Sequence, residues 1–433
     1  MLITLSVIIL VLLLIIGVPV PFAFMGSIVV FIFSGAYGSS FMLPFSYSKL
    51  NNIVILAVPL FIIAGGLANR AKIADKIIGL MELFVGGLRS SLGAIAVVSC
   101  AAFGAVTGSA CATLSAIGSI MFPRLEAAGY PKGHSASLLA SSSVLGMLIP
   151  PSSIMILYAW VGQTSVLACF LSTVFPGIIL TILLCLVNAY LVRGYKGIKT
   201  PPSLSLVVFR QELVRRSREG LPALTMPILV LGGIYGGFVT PTEAAALSAM
   251  LALPLGFFIY KELTIRNVLD EVKEAAITTG AIMIMLYAMM ILSRIYIMED
   301  LPNLILSGLT SISSNPLVIF LMINLFIAIL GMLMDDVSAI LLLAPLLIPV
   351  VVKLGMNPVH FAAVLAVNTG MGNMTPPTAP LLYLSLQLNG GNFSESLRPT
   401  VYMLIFAWLP TLALTTYIPD LALFLPRLVL GGY

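Results

Sequence analysis

Two stretches of this chain place residues able to hold an ion or a small anion next to a break in apolar sequence. In the first, Ser141, Ser142, Ser143 and Gly146 precede Pro150-Pro151; in the second, Asn368, Thr369, Gly370, Gly372 and Asn373 precede Pro376-Pro377. Residues 129–158 (GYPKGHSASLLASSSVLGMLIPPSSIMILY) align without a gap on residues 355–384 (GMNPVHFAAVLAVNTGMGNMTPPTAPLLYL), at an offset of 376 − 150 = 226. That offset carries Gly129 onto Gly355, His134 onto His360 and Gly146 onto Gly372. A double proline removes backbone donors and cannot continue a helix. In lipid such a break is tolerated only where protein or a water-filled cavity satisfies the backbone. Interrupted apolar segments at matching places in two halves of a chain point to a transporter's midplane binding site.

The acidic doublet Asp335-Asp336, in GMLMDDVSAILLLAP, is the sharpest single feature. A carboxylate at the bilayer centre costs roughly 2.5–3.5 kcal/mol on insertion scales, so two adjacent ones need a wet or paired setting. One reading is a cation or proton site, and the other is a helix cap before VSAILLLAP. Both roles can coexist; Asp335 is expected at the site and Asp336 at the cap. The 226 offset carries Ser109, in GAVTGSACATLSAIG, onto Asp335. Ser142-Ser143 and Asn368-Thr369 could instead be ordinary polar contacts between packed helices, but their place beside the prolines in both copies favours ligand contact. His134 and His360 open their segments and fit structural capping or a surface position better than a proton relay. Glu243 fits a capping box with Thr240, with Pro241 at the first helical position. Arg70 and Arg294 read as interfacial anchors.

The elements that must position these residues are membrane helices. Of the 433 residues, 60% are apolar and 9% charged, and mean hydropathy is +1.13. Soluble domains carry about 25% charged residues, and the apolar runs here are long enough to span. The run from Met1 to Ile16 lacks a basic leader and a small-residue cleavage site, so it reads as a retained helix. The four cysteines show no CxxC spacing and read as packed small residues. There is no P-loop (GYPKGHS is not one), no HExxH and no GxSxG in a strand–helix context. ATP hydrolysis and enzyme chemistry are therefore not expected, no cofactor is called for, and an ion gradient is left as the energy source.

Charge placement sets the topology. Arg193, Lys196, Lys199, Arg210, Arg215, Arg216 and Arg218 crowd one polar stretch, against Glu212 and Glu219. This stretch reads as a cytoplasmic loop by the positive-inside rule, and its membrane-helix flanks argue against nucleic acid. Counting outward gives an all-α polytopic membrane protein with two inverted repeats. Residues 1–192 form the first, with a re-entrant hairpin at about 90–124 and a broken helix at about 133–168. The basic loop spans 193–219. Residues 220–418 form the second, with a hairpin at about 316–352, a broken helix at about 358–388, a span over Ile277–Leu292 and an interfacial helix over Met298–Ser311. Residues 419–433 read as a C-terminal tail. The openings correspond loosely, GVPVPFAF at 17–24 with GGFVTPTEAAAL at 236–247. Broken helices in such an architecture present half-helix N-termini to anions and unwound carbonyls to a hard cation such as Na⁺.

Taken together, GVPVPFAFMG, AVPLFIIAGGL, GAVTGSACATLSAIG, LGMLIPPSS, GGIYGGFVTPTEAAAL, LGMLMDDVSAILLLAPLLIPV and VNTGMGNMTPPTAP resemble, in order and over almost the whole chain, the large (M or DctM-type) membrane subunit of tripartite ATP-independent periplasmic (TRAP) transporters. The family pattern more often carries a single Asp where this chain has two. The resemblance implies a sodium-driven elevator transporter of the ion-transporter superfamily in the bacterial inner membrane. It implies a small four-helix membrane subunit (Q or DctQ type), a periplasmic substrate-binding protein and an organic-acid substrate, such as a C4-dicarboxylate or sialic acid. Since the large-subunit pattern begins at residue 1, the small subunit is expected as a separate chain. Carried onto these residues, Ser109, Ser142, Ser143 and Gly146 would line one Na⁺ site, and Asp335, Thr369, Gly372 and Asn373 its mate. Substrate would sit near Ser109, Ala110, Thr113, Asp336, Asn368 and Thr375. The alternatives are an autonomous ion-coupled anion carrier or antiporter of the same superfamily, and, in other classes, a membrane scaffold or an intramembrane enzyme. Matched breaks count against the scaffold, and the lack of a nucleophile–base or metal-ligand set counts against the enzyme.

Overall fold

The computed structural model describes residues 2–35, 37–85, 89–199 and 206–431, and every regular element among them is a helix. The first helix shows how composition becomes structure. In α1 (Leu2–Ile15) nearly every residue is apolar, yet only Ser6, Leu10 and Leu14 are buried. Their four-residue spacing makes one stripe, which packs on α2 (Val20–Phe33); a helix apolar all round suits lipid on its other faces. Pro19 caps α2 and Pro21 lies in its first turn, where a missing N–H costs nothing. The chain continues through α3 (Met42–Leu50), α4 (Ala57–Arg70) and α5 (Ile73–Val85).

The first hairpin is α6 (Ser91–Thr107) and α7 (Ala110–Ala127), joined by Gly108-Ser109. Gly108 has φ +62 and closes α6 in the left-handed region, where glycine carries no Cβ penalty. The first broken helix follows as α8 (Lys132–Ser143), α9 (Leu145–Leu148) and α10 (Ser153–Val161), bent by 49° at the double proline. Next come α11 (Val166–Gly194), α12 (Leu206–Tyr235) and α13 (Pro241–Pro254), the last running on through a π turn at Leu255–Ile259. Thr240 and Glu243 form the expected capping box at the start of α13.

The second half supplies α14 (Ile265–Met298), α15 (Leu301–Ile312), the hairpin arms α16 (Pro316–Gly331) and α17 (Asp336–Lys353), and the broken pair α18 (Pro358–Gly372) and α19 (Pro380–Asn389). Then α20 (Phe393–Met403) passes through a π turn at Leu404–Trp408 into α21 (Leu409–Tyr417), and α22 (Pro419–Leu430) closes the chain. Among the described residues six stretches are long and apolar enough to span a membrane, or seven with the bent pair. The chain is a multi-pass membrane protein.

The helices fall into two packed groups. An outer group joins α1, α2, α3, α4, α5, α12, α13, α14 and α15; an inner group joins both hairpins to the broken helices, α11 and α20 to α22. They meet where α4 and α5 lie on α6, and where α14 and α15 lie on α17. At the α4–α6 contact a Cβ on Gly65 would come within 3.1 Å of the Thr107 Cα. Glu271 of α14 is the one buried carboxylate of this outer group among the described residues: it lies over Gly66, where any Cβ would overlap its carboxyl group, and pairs with Arg70 at 2.6 Å. Arg70 also holds Glu274 at 2.7 Å, so it ties two spans together in addition to ending one.

Some boundaries differ from those read off the sequence. The span expected over Ile277–Leu292 extends to Ile265 and Met298, because the added turns carry Arg266, Asp270, Glu271, Lys273 and Glu274 and pass beyond the apolar window. The interfacial helix begins at Leu301 rather than Met298, after Asp300 turns the chain at φ +59. The stretch 419–433 contains α22, packed on α11 and α18. From Leu206 the basic stretch 193–219 is helical; residues 200–205 and the Arg210 side chain lie outside the described residues, as do Gly432 and Tyr433. Arg216 bonds Glu212 at 2.7 Å and also reaches Glu82, which Arg124 contacts at 2.6 Å. Helices α5, α7 and α12 are thereby clasped at one end.

Candidate functional site

Each hairpin packs on the broken helix of its own half, α6 and α7 on α8, and α16 and α17 on α18. The halves also interlock crosswise, α10 on α17 and α19 on α7. At the centre, a Cβ on Gly370 would meet Val144 Cγ1 at 2.5 Å. These two residues stand 226 apart, so a residue and its counterpart touch each other, as residues on a two-fold axis do.

The first unit is built on close backbone approach. A Cβ on Gly104 would overlap the Gly146 backbone, and one on Gly146 would meet Thr113 Oγ1 at 2.5 Å and the Ser109 carbonyl oxygen at 2.8 Å. Ser109 caps α7, its side chain accepting from the Ala112 N–H at 3.5 Å. Thr113 Oγ1 donates to the Ser109 carbonyl at 2.8 Å and lies 2.9 Å from Thr107 Oγ1. The Ser153 N–H donates to the Gly108 carbonyl at 3.3 Å, which fixes the hairpin tip to the start of α10. Ser109, Ala110, Thr113 and Gly146 are thus brought together. Ser142 and Ser143 sit one turn earlier and donate to the Leu138 and Ala140 carbonyls of their own helix at 2.6 and 2.8 Å. Their hydroxyl protons are used locally, while their oxygens keep acceptor capacity.

In the second unit a Cβ on Gly372 would meet the Gly331 backbone at 2.6 Å, and the Thr378 hydroxyl donates to the Met332 carbonyl. Asp335, not Asp336, is the cap of α17: its carboxylate accepts from the Ser338 N–H at 3.4 Å and from the Ser338 hydroxyl. Asp336 occupies the first helical position, with Oδ1 accepting from the Val337 N–H at 3.1 Å. The cap expected of Asp336 thus falls to Asp335, which takes the extended conformation a cap requires (φ −69, ψ 164). Asp335 remains exposed and Asp336 half-buried. Thr369 donates to the Leu365 carbonyl at 2.9 Å and Thr375 to the Met371 carbonyl at 2.8 Å.

Two buried amides carry oxygens without a hydrogen-bond partner among the described residues, Asn368 Oδ1 and Asn373 Oδ1; the Ser141 and Ser152 hydroxyls share this property. Buried polar atoms are paired in the great majority of cases, and four of the ten unpaired side-chain atoms among the described residues lie at or near the two breaks. The Asn368 Nδ2 donates to the Asn324 carbonyl at 2.9 Å, and Asn324 Nδ2 to Thr416 Oγ1 at 2.9 Å, linking α18, α16 and α21. The sequence reading passed over Asn324, although a lone amide in LVIFLMINLFIAIL was a usable signal. It also treated Cys111 as packed; the residue is exposed at the first tip, within electrostatic range of Asp335 and Asp336. The two histidines are buried tie points: His134 Nε2 lies 3.0 Å from Asn188 Oδ1, and His360 Nε2 lies 2.7 Å from the Thr415 carbonyl oxygen. A surface position is thereby ruled out for both.

Helices α7 and α17 begin at the two tips, and α10 begins where the Ser153 N–H bonds the Gly108 carbonyl; each N-terminus carries a partial positive charge that favours an anion. Beside them lie two carboxylates and several neutral oxygens, the donor set of a hard cation such as Na⁺. The arrangement can therefore hold a cation and an anion side by side.

The profile of the tripartite ATP-independent periplasmic transporter DctM component matches residues 7–421. The chain is 33% identical to the sialic acid TRAP transporter large permease protein SiaM of Vibrio cholerae, over 95% of this chain and 96% of that one. It is 31% identical to the isethionate TRAP transporter permease protein DctMQ of Oleidesulfovibrio alaskensis over 92% of its own length, and spans 62% of that longer protein. Among solved structures, the YdaH transporter of Alcanivorax borkumensis has the same fold, with a TM-score of 0.64 at 14% identity, covering 88% of this chain and 90% of that one.

Proposed function

The chain belongs to the DctM component family of tripartite ATP-independent periplasmic transporters, and from that premise we propose that it imports a small organic acid across the bacterial inner membrane, driven by a sodium gradient. The acid is delivered by a periplasmic binding protein, and a small four-helix membrane subunit completes the complex. The substrate carries a carboxylate or sulfonate, in keeping with the sialic acid and isethionate named for two relatives.

The observation that carries this reading is the pairing of unpartnered amide oxygens at the second break with two carboxylates at the facing tip. An anionic substrate beside Asp335 and Asp336 is repelled unless a cation stands between them. Sodium coupling supplies that cation, held by Asp335, Thr369, Gly372 and Asn373 in one half and by Ser109, Ser142, Ser143 and Gly146 in the other, with substrate at Ser109, Ala110, Thr113, Asp336, Asn368 and Thr375. In the elevator motion, the inner helix group slides against the outer group. The close Gly65–Thr107 approach at their contact supports a smooth sliding face.

The test is uptake of labelled organic acids into proteoliposomes containing this chain and its small subunit, with and without the binding protein and a sodium gradient. Uptake requiring both is expected. Uptake with sodium alone assigns the chain to autonomous ion-coupled carriers, and uptake indifferent to sodium removes the coupling claim.

A further inference from the structure

One apolar groove shares no lining residue with the positions proposed for ion and substrate. It is about 760 Å³, lies between α11 and the segment from α20 into its π turn, and is lined by Leu183, Leu186, Tyr190, Val401, Ile405 and Phe406. Exposed apolar surface is expected wherever a span faces lipid, but a concavity of this size falls in the range that holds an individual molecule. One wall is the π turn Leu404–Trp408, a local widening of the helix that recurs at functional positions.

The two ends of the groove differ. At one end Tyr190 and Tyr402 stack, ring centroids 6.2 Å apart and planes 24° from parallel. The Arg398 guanidinium lies 5.9 Å from the Tyr402 ring centroid, and Arg193 follows Tyr190 by one helical turn. Both arginines are exposed, and neither forms a salt bridge among the described residues. Tyrosines and arginines at the end of an apolar channel mark the headgroup level of a bilayer. Arg193 heads the basic stretch of the chain, so this is the level where anionic lipids concentrate.

We propose that this groove binds one anionic phospholipid, its acyl chains along Leu183, Leu186, Ile405 and Phe406 and its headgroup phosphate held by Arg193 and Arg398. A hydrocarbon alone would leave the arginines without a role, and a free phosphate would leave the groove empty. Because α11 and α20 belong to the inner helix group, the lipid rides with that group.

Native mass spectrometry of the full chain, released from vesicles of equal phosphatidylglycerol and phosphatidylcholine, tests this by the ratio of retained lipids. Wild type is expected to enrich phosphatidylglycerol, and Arg193→Gln with Arg398→Gln to bring the ratio toward one, roughly fivefold per arginine. Ile405→Trp leaves the arginines in place and fills the groove, so it should cut retention of both lipids; it keeps the test open if the double variant fails to fold. No preference in wild type, a preference that survives the arginine substitutions, or displacement of the lipid by soluble glycerol phosphate would overturn the assignment.

Discussion

In the first half Ser109 caps the hairpin tip and the Ser153 N–H closes it onto the break through the Gly108 carbonyl. In the second, 226 residues on, Asp335 caps the tip, and the Thr378 hydroxyl closes the break onto the Met332 carbonyl. Each unit uses a glycine of the broken helix pressed against the hairpin, Gly146 on Ser109 and Thr113, Gly372 on Gly331. Geometry is shared; charge is not. The first unit presents neutral oxygens, whereas the second adds two carboxylates and two buried amide oxygens without partners among the described residues. Ion affinity should therefore depend more steeply on the second unit than on the first.

The largest expected effect follows from removing that charge asymmetry. Asp335→Asn keeps a capping side chain but deletes the carboxylate, so half-saturating sodium for uptake should rise about 10- to 100-fold, the scale of a lost contact to a charged group. Ser109→Asp would place an acid at the matching tip. If the units are interchangeable in chemistry as well as geometry, the double variant Ser109→Asp with Asp335→Asn should recover part of the lost uptake; no recovery would confine the charge requirement to the second half.

Next come the close approaches. Gly372→Ala drives a Cβ into backbone at 2.6 Å, where nothing can rotate away, and should cost about 1–3 kcal/mol by overpacking together with most of the uptake. Gly146→Ala meets a hydroxyl as well as a carbonyl, so its thermal shift should be the smaller of the two. Equal shifts would show that the units tolerate strain alike.

Similar in stability but smaller in its effect on uptake is the contrast between two amides. Asn368→Ala leaves the Asn324 carbonyl and side chain without their donor and should lower stability by about 1–3 kcal/mol. Asn373→Ala removes an oxygen that bonds nothing among the described residues, so it should alter sodium dependence with little change in melting temperature. Ser143→Ala and Thr369→Ala should lie within about 0.5 kcal/mol of wild type, since each hydroxyl serves only its own helix. If uptake and its sodium dependence are also unchanged in both, these oxygens are not ion ligands.

Much of this site was legible because its cause is local. A double proline breaks a helix whatever surrounds it, so both breaks and their register could be read from residues alone. The hairpin tips followed from the Ser109–Asp335 correspondence, since either residue type caps a helix. What could not be read depended on partners distant in sequence or on backbone angles. Which of two adjacent aspartates caps α17 is decided by ψ at Asp335, and sequence does not print ψ. The bond between Asn324 and Asn368 became visible only once α16 met α18, and the carboxylate of Glu271 over Gly66 only once α14 met α4. That the hydroxyl protons of Ser142, Ser143 and Thr369 bond carbonyls of their own helices is a common habit of such groups within a helix, and it leaves only their oxygens' acceptor capacity for a ligand.

The most direct test of paired cation sites is the thermal stability of the purified chain in sodium chloride against potassium chloride at equal ionic strength. A ligand bound only by the folded state stabilises by about 2.7 kcal/mol at a hundred times its Kd. The account predicts a sodium-specific rise in melting temperature that Asp335→Asn reduces and Ser143→Ala with Thr369→Ala reduces further. Identical melting temperatures in the two salts would contradict it.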